Sequence, residues 1–364
     1  MNLSFKKKSA AAQAPSPEGT KVLRESKNRI RVDFERTSRW QRFKIKYFSV
    51  SFVIDVLWYI FRLGLLIGVS YIILQPFFSK IMSSFMSPND FVDVTVKLIP
   101  RYPTLDTYRG ILRDNGYWTA LFNTTTLSLA CAIIQTFICC LIGYGFAKFK
   151  FKGNKLLFAL VIFTMIVPHN TVKFAMLIKF KYFDILGIFN FLGGGVFKWL
   201  KIFSFDSIDL TNTYWPLILL SLGGLAFKNG LYIYMMRQFF RGVPDELEES
   251  AYIDGSGTFG TFMRIILPLS IPMMITIFLF SFSWQWTDTF YTASPFFTAS
   301  AEPLLTNIVN KIPPTLRNDF AASALWESAI TNTSGLLVIL PLFIIFLFAQ
   351  RSFVEGIERS GIVG

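Results

Sequence analysis

The sequence is short of the residues that usually carry chemistry. Among 364 residues there is one histidine, His169, and three cysteines. One histidine per chain excludes the common paired-histidine metal sites and histidine-based triads. Cys131, Cys139 and Cys140 share one apolar run. Adjacent cysteines in a helix cannot form an ordinary bridge, and no Cys/His metal spacing exists, so these read as small packing residues. No Gly-Lys pair occurs anywhere. A phosphate loop of the GxxxxGK[ST] kind is therefore absent, and with it that route to ATP hydrolysis. No two acids sit at catalytic spacing within an apolar run, and no signal-peptide pattern opens the chain, because the first long apolar run starts too late. Catalytic residues, metal ligands and a cofactor held by this chain are all expected to be absent.

Charge is scarce as well: 16% of residues are charged, whereas 52% are hydrophobic and 41 are Phe. That profile belongs to a polytopic helical membrane protein. The expected fold class is all-α, with six membrane spans. The net charge of +13 raises the question of nucleic acid, but its placement answers otherwise. Residues 1–62 hold 14 Lys and Arg against 5 Asp and Glu, and Lys148, Lys150, Lys152 and Lys155 crowd one short turn. Inside-facing segments are basic in this way, as topology signals and as contacts to anionic lipid. The expected partner is a lipid bilayer and not nucleic acid.

In chain order, residues 1–26 lack apolar periodicity and read as a disordered cytoplasmic arm. From residue 27 to 62 basic and aromatic residues interleave, with Trp40, Phe43 and Tyr47 on one helical face, as in a helix lying on the inner membrane surface. Residues 1–62 thus form a basic arm with an interfacial helix, residues 63–350 the membrane domain, and residues 351–364 a cytoplasmic tail. Spans are expected near 63–82, 120–147, 156–178, 215–236, 266–290 and 333–349. The first is placed after Arg62, since burying that charge costs roughly 2.5–3.5 kcal/mol on insertion scales. Six spans leave both termini in the cytoplasm.

The distinctive stretch is 243–268, a polar loop between two spans. Residues 237–264 carry Arg237, Arg241 and Arg264 against five acids, so this is the acidic one among the inner segments. It reads as two short helices around a glycine turn. Pro244 suits a first helical position, and Asp245 and Glu246 favour the helix dipole. Leu247 and Ala251 share a face. Gly255 suits a left-handed helix end, and Ser256 a cap for the next helix. The excess acid fits a basic cleft on a soluble partner; the alternative is a solvated acidic helix.

The run Glu249-Ser250-Ala251, then Gly255, then Ile265-x-Leu267-Pro268 resembles the EAA loop of importer-type ABC transporter permeases, with Ser for the middle Ala. The flanking Val243-Pro244-Asp245-Glu246-Leu247-Glu248-Glu249 and Ile253-Asp254-Gly255 resemble the carbohydrate branch. So do Pro103-Thr104-Leu105-Asp106-x-Tyr108, Trp118, Asn123-Thr124 and Asn212-Thr213-Tyr214-Trp215. The tail resembles that of maltose-type second permeases. Residues 188–211 are extra relative to that family, and read either as a contact for the substrate-delivering protein or as a surface insertion.

The resemblance implies a sugar importer's permease subunit, with a second and different permease, two ABC ATPases holding ATP and Mg, and an extracytoplasmic solute-binding protein. It implies that Glu246, Glu249, Ala251, Asp254 and Gly255 couple to the ATPase. For a sugar path, Trp284, Asp288 and Tyr291 fall at i, i+4 and i+7 beside Trp286. Rings stack on sugar faces and carboxylates accept sugar hydroxyls, although an aromatic belt at the outer interface gives the same pattern. His169 and Asn170, next to Pro168, read either as ligand contacts or as partners of a helix kink. Other cargo, such as a polyamine, peptide or polyol phosphate, is the competing expectation. A membrane-embedded glycosyl-transferring enzyme is a third, and would require an acid pair that the sequence lacks.

Overall fold

The computed structural model describes Trp40 and residues 50–185, 207–292, 303–317 and 323–361. The expected disordered arm, nearly all of the interfacial helix up to residue 49 and most of the extra segment 188–211 lie outside the described residues. The chain divides into two units, Met1–Ile72 and Ile73–Gly364. In the first, the described stretch is the start of α1, Val50–Ser83. Helix runs unbroken through Arg62, from before the expected start of the first span. Around it Leu57, Trp58 and Phe61 are exposed, as suits a helix that meets lipid.

The second unit is built on α4, Tyr117–Lys148, preceded by α2, Pro88–Val92, and α3, Asp106–Asp114. Against α4 pack α7, Trp215–Leu222, α8, Asn229–Arg241, and α11, Leu267–Trp286. The buried positions of α4 are mostly small: Ala120, Ser128, Ala132, Gly143 and all three cysteines, which are free thiols. Without a hydrophobic drive between helices in lipid, small residues at contacts let backbones approach and gain dispersion energy. Gly143 shows the limit, because a Cβ there would stand 2.5 Å from Met236 Cβ.

Among the described residues four helices are long and apolar enough to cross a bilayer: Ile54–Ser83, Tyr117–Lys148, Thr258–Trp286 and Ala324–Gln350. The remaining two expected spans are not single helices. The stretch 156–178 is divided between α5, Asn154–Ile166, and α6, His169–Lys181, which bend by 103° at the break. Pro168 is the cause, since it lacks an N–H and drives the preceding residue out of helix; Val167 sits at φ −65, ψ 121. The stretch 215–236 is divided between α7 and α8. Between them Gly224 and Lys228 both adopt φ +68, which no α-helix can contain.

The loop after α8 forms α9, Glu246–Ile253, and α10, Thr258–Thr261, and then enters the bundle through a π-helical turn, Phe262–Ile266. Pro268 and Pro272 stand in the first turns of the helix that follows. The widened turn is how it adapts: Pro268 offers no N–H to the preceding turn, and the Leu267 N–H reaches back five residues to the Phe262 carbonyl. The helix ends at Trp286, four residues short of the expected 290. After α12, Leu305–Ile308, and a 3-10 turn at Pro314–Leu316, the chain closes with α13, Ser323–Gly361. This helix runs on through the expected tail boundary at residue 351.

The end of the bundle far from loop 243–268 is tied by side chains reaching backbone. Asn115 Nδ2 donates to the Lys311 carbonyl at 2.6 Å, and Trp326 Nε1 to that of Leu316 at 2.8 Å. At the root of the extra segment, Phe183 and Ile208 exchange two backbone hydrogen bonds of 3.0 Å, an antiparallel bridge.

Candidate functional site

Loop 243–268 is stiffened at both ends of its first helix. Gly255 adopts φ +81. Its N–H bonds the Tyr252 carbonyl at 3.0 Å, and the next N–H, of Ser256, bonds the Ala251 carbonyl at 2.9 Å. This pair of bonds is the left-handed glycine termination that the sequence suggested. Two details differ. Pro244 lies outside α9, with Asp245 between them, and the extended residue before α10 is Gly257 rather than Ser256. The hydroxyl of Ser256 instead lies over Gly260, 2.9 Å from where a Cβ would be.

At its start, α9 is held by Lys148, the last residue of α4. Lys148 Nζ donates to the Val243 carbonyl at 2.6 Å and to Asp245 Oδ1 at 2.5 Å. Glu248 Oε1 is 3.8 Å away, an ion contact beyond hydrogen-bond range. Lys148 is 7% exposed and Glu248 11%, against 79% for Asp245. The Lys148 ammonium holds the Asp245 carboxyl below the usual range, whereas burial pushes the Glu248 carboxyl up despite Lys148. Ala251 is buried beside Glu248 on the inner face. Outward point Glu246, Glu249, Asp254 and Gly255, together with Leu247, Tyr252, Ile253 at 86% and Phe259 at 73% exposure. Leu247 and Ala251 therefore do not share the buried face. Lys148 and Glu248 were not singled out in the sequence, where the first read as one more basic loop residue.

A second constellation forms where the broken helices meet the end of α11. A cavity of about 130 Å³ is lined by Gln135, Phe227, Ser281, Trp284, Asp288 and Tyr291, among others. It lies among α4, the α7–α8 break and α11. Buried Gln135 joins three helices: its Nε2 donates to Ser221 Oγ at 3.2 Å, and its Oε1 accepts from Ser281 Oγ at 2.9 Å. Trp284 is 47% exposed and packs its ring 5.3 Å from that of Phe227.

Trp284, Asp288 and Tyr291 do line one cavity, though not as one helical face, because the helix stops at Trp286. The Asp288 carboxylate closes the turn that follows. It accepts the N–H groups of Phe290 at 2.9 Å, Tyr291 at 3.2 Å and Thr292 at 3.0 Å. Tyr291 Oη lies 3.2 Å from His169 Nδ1, and the His169 ring is 4.5 Å from Phe227. His169 thus reaches the cavity wall from the break between α5 and α6. Asn170 is exposed and outside the lining. Trp286 faces away: it is 1% exposed and donates from Nε1 to the Val338 carbonyl at 2.9 Å. Its place is in the core against α13, contrary to the expectation that it lines a path.

Gln135, Ser221, Ser281, Phe227 and Lys228 were overlooked. The signal existed for two of them. Gln135 is an amide in a long apolar run, and Lys228 a charge inside an expected span, where ionisable groups mark function by default.

The family described as binding-protein-dependent transport system inner membrane component matches residues 140–359. The chain belongs to that family. Such an inner membrane component is a multi-pass membrane protein that works beside a further permease, ATPase subunits and a binding protein. One relative is the polygalacturonan/rhamnogalacturonan transport system permease protein YtcP of Bacillus subtilis, 27% identical over 83% of this chain and 96% of that protein. Another is the maltodextrin transport system permease protein MalD of Streptococcus pneumoniae, 28% identical over 81% and 92%. A chain in the crystal structure of a bacterial ABC transporter involved in the import of the acidic polysaccharide alginate has the same fold. It aligns with a TM-score of 0.61 at 21% identity, covering 84% of this inner membrane component and 98% of that chain.

Proposed function

We propose that this chain is the permease subunit of an ATP-driven importer that carries an oligosaccharide or related sugar across the cytoplasmic membrane by alternating access. Family membership supports the class, and the names of its relatives, which include galactooligosaccharide and maltodextrin permeases, support the cargo. The observation that carries the coupling step is the geometry of α9. It is a helix locked by a glycine termination, tied at its start to α4, with Ile253 and Phe259 turned outward. Exposed large apolar groups rimmed by acids fit a groove with a basic edge on a soluble ATPase. Closure of two such ATPases displaces α9. Because Lys148 joins α9 to the helix on which the bundle is built, the displacement reaches the cavity as a rigid-body movement.

In this reading Glu246, Glu249, Asp254 and Gly255 face the ATPase, and Ala251 seats the helix on the permease. ATP and Mg stay on the partner. A second, different permease and an extracytoplasmic binding protein complete the assembly. The basic arm 1–62 and the tail 351–364 lie in the cytoplasm, flanking membrane domain 63–350. The cavity of about 130 Å³ is small beside the roughly 300–1,000 Å³ of ligand pockets, so this chain supplies one wall of the path and the second permease the other.

The test is ATP hydrolysis and sugar uptake by the assembled complex with its binding protein. Gly255→Trp places a bulky L residue at φ +81 on the outward face. The variant is expected to insert and assemble, and to lose sugar-stimulated hydrolysis and uptake. Normal uptake at normal expression removes the docking role of α9.

A further inference from the structure

Two lysines outside the lining itself stand over rings that form the cavity wall. Lys228 places Nζ 4.9 Å from the centre of the Phe227 ring and 5.1 Å from that of Trp284. Lys173, on α6, places Nζ 4.4 Å from the Phe290 ring. All three rings line the cavity. Both lysines are half-buried, and among the described residues neither has a carboxylate within ion-pair distance. Asp288, the acid in the cavity wall, is committed to three backbone N–H groups.

Ring faces offset only part of what a half-buried ammonium loses by leaving water. Cation–π contacts contribute about 0.5–2 kcal/mol, against several kcal/mol for desolvating a charge without a partner. Lys228 also carries backbone strain. It adopts φ +68, a region that glycine or asparagine occupies at less cost. Lys228 thus joins an uncommon backbone conformation to a charge inside an apolar stretch, a combination that gathers at functional sites. The Asp288 carboxylate in the wall has the opposite sign and is taken up by backbone N–H groups, whereas two helix ends nearby share the sign of Lys228. α6 and α8 both start at this place, at His169 and Asn229, and helix N-termini are the positive ends of their dipoles. Broken helices that turn N-termini and cations toward a cavity favour an anionic solute group.

We infer that the cargo carries carboxylates: a uronate-bearing oligosaccharide whose acid groups are met by Lys228 and Lys173 while a ring face stacks on Trp284. This rests on the sugar-importer reading and adds the substrate's charge to it. The aromatic wall supplies affinity for the sugar face, and the lysines discriminate acidic from neutral sugars, since a neutral sugar leaves both ammonium groups without a partner.

The test uses the assembled importer with its ATPases and binding protein in cells that lack other importers for these sugars. Uptake is measured for trisaccharides of galacturonate, glucuronate, mannuronate and guluronate, each beside its carboxyl-reduced neutral counterpart. At least one acidic trisaccharide is expected to enter ten times faster than its neutral partner. Lys228→Asn removes the charge while retaining a residue suited to φ +68, so the backbone of the break is kept, and a purely structural lysine predicts equal loss for acidic and neutral sugars. It is expected to lower uptake of the acidic sugar at least tenfold, and Lys228→Arg to keep most of it. Lys173→Met is expected to act in the same direction. Equal uptake of neutral and acidic sugars, or unaltered acidic uptake in Lys228→Asn with Lys173→Met, overturns the inference and leaves the importer reading standing. If an assembled, ATP-hydrolysing complex takes up no sugar of either kind, the importer reading falls and the inference with it.

Discussion

Tyr117 Oη donates a 3.0 Å hydrogen bond to the carbonyl oxygen of Leu337. Leu337 lies four residues before Pro341, the proline inside α13. Proline has no N–H, so the Leu337 carbonyl is the one that Pro341 deprives of its helical partner. The first residue of α4 therefore satisfies a backbone acceptor on the last helix, in a setting where water is not available to do so.

Tyr117→Phe leaves that carbonyl buried and unpaired, and should lower stability by about 1–3 kcal/mol. Pro341→Ala restores an N–H at the position where the helix needs one. The double variant should thus lose much less than the sum of the single losses. Thermal unfolding of the detergent-solubilised complex across this double-mutant cycle measures the coupling; additive losses would show that the hydroxyl serves some other acceptor.

Loop 243–268 should respond to pH through two acids of opposite behaviour. Asp245 has a lowered pKa from Lys148. Its contribution is present above the unfolded value and is lost as pH falls through the lower folded one. Glu248 has a raised pKa from burial. Its contribution is present below the unfolded value and is lost as pH rises through the higher folded one. Glu248→Gln should accordingly protect α9 near neutral pH and flatten the change just above the carboxylate range, whereas Asp245→Asn should remove the protection lost toward acid. Hydrogen exchange of residues 243–256 as a function of pH reads both. Identical profiles for the wild type and Glu248→Gln would show that Glu248 is not strained by burial.

Gln135 is the joint between α4, α7 and α11. Gln135→Ala cuts both side-chain bonds, each worth roughly 0.6–2 kcal/mol inside a membrane protein. A modest fall in unfolding temperature should accompany a larger fall in uptake, because the three helices that frame the cavity lose their common link. Full uptake with lowered stability would confine Gln135 to a structural part.

The helical class, the positions of the four long apolar helices and the glycine end of α9 were legible in the sequence because each depends on local information. Apolar length announces a span, and a glycine at the end of an acidic helix announces its termination. The two expected spans that the structure divides into shorter helices were harder. Pro168, Gly223 and Gly224 were visible, but composition alone does not separate a tolerated glycine from a break, since neighbouring helices decide whether freed backbone groups find partners. The side chosen by Trp286 was likewise illegible. Trp284 and Trp286 are equivalent by residue type, and only the arrival of α13 sends one to the core and leaves the other on the cavity. Lys228 carried the clearest warning, a charge inside an apolar stretch.

The backbone bridge between Phe183 and Ile208 fixes two points of the chain against each other whatever the number of residues between them. The chain departs and comes back through a single doorway, so the cost of what passes beyond it grows only slowly with the number of residues enclosed. Shortening, lengthening or exchanging that portion need not alter the geometry of its two ends.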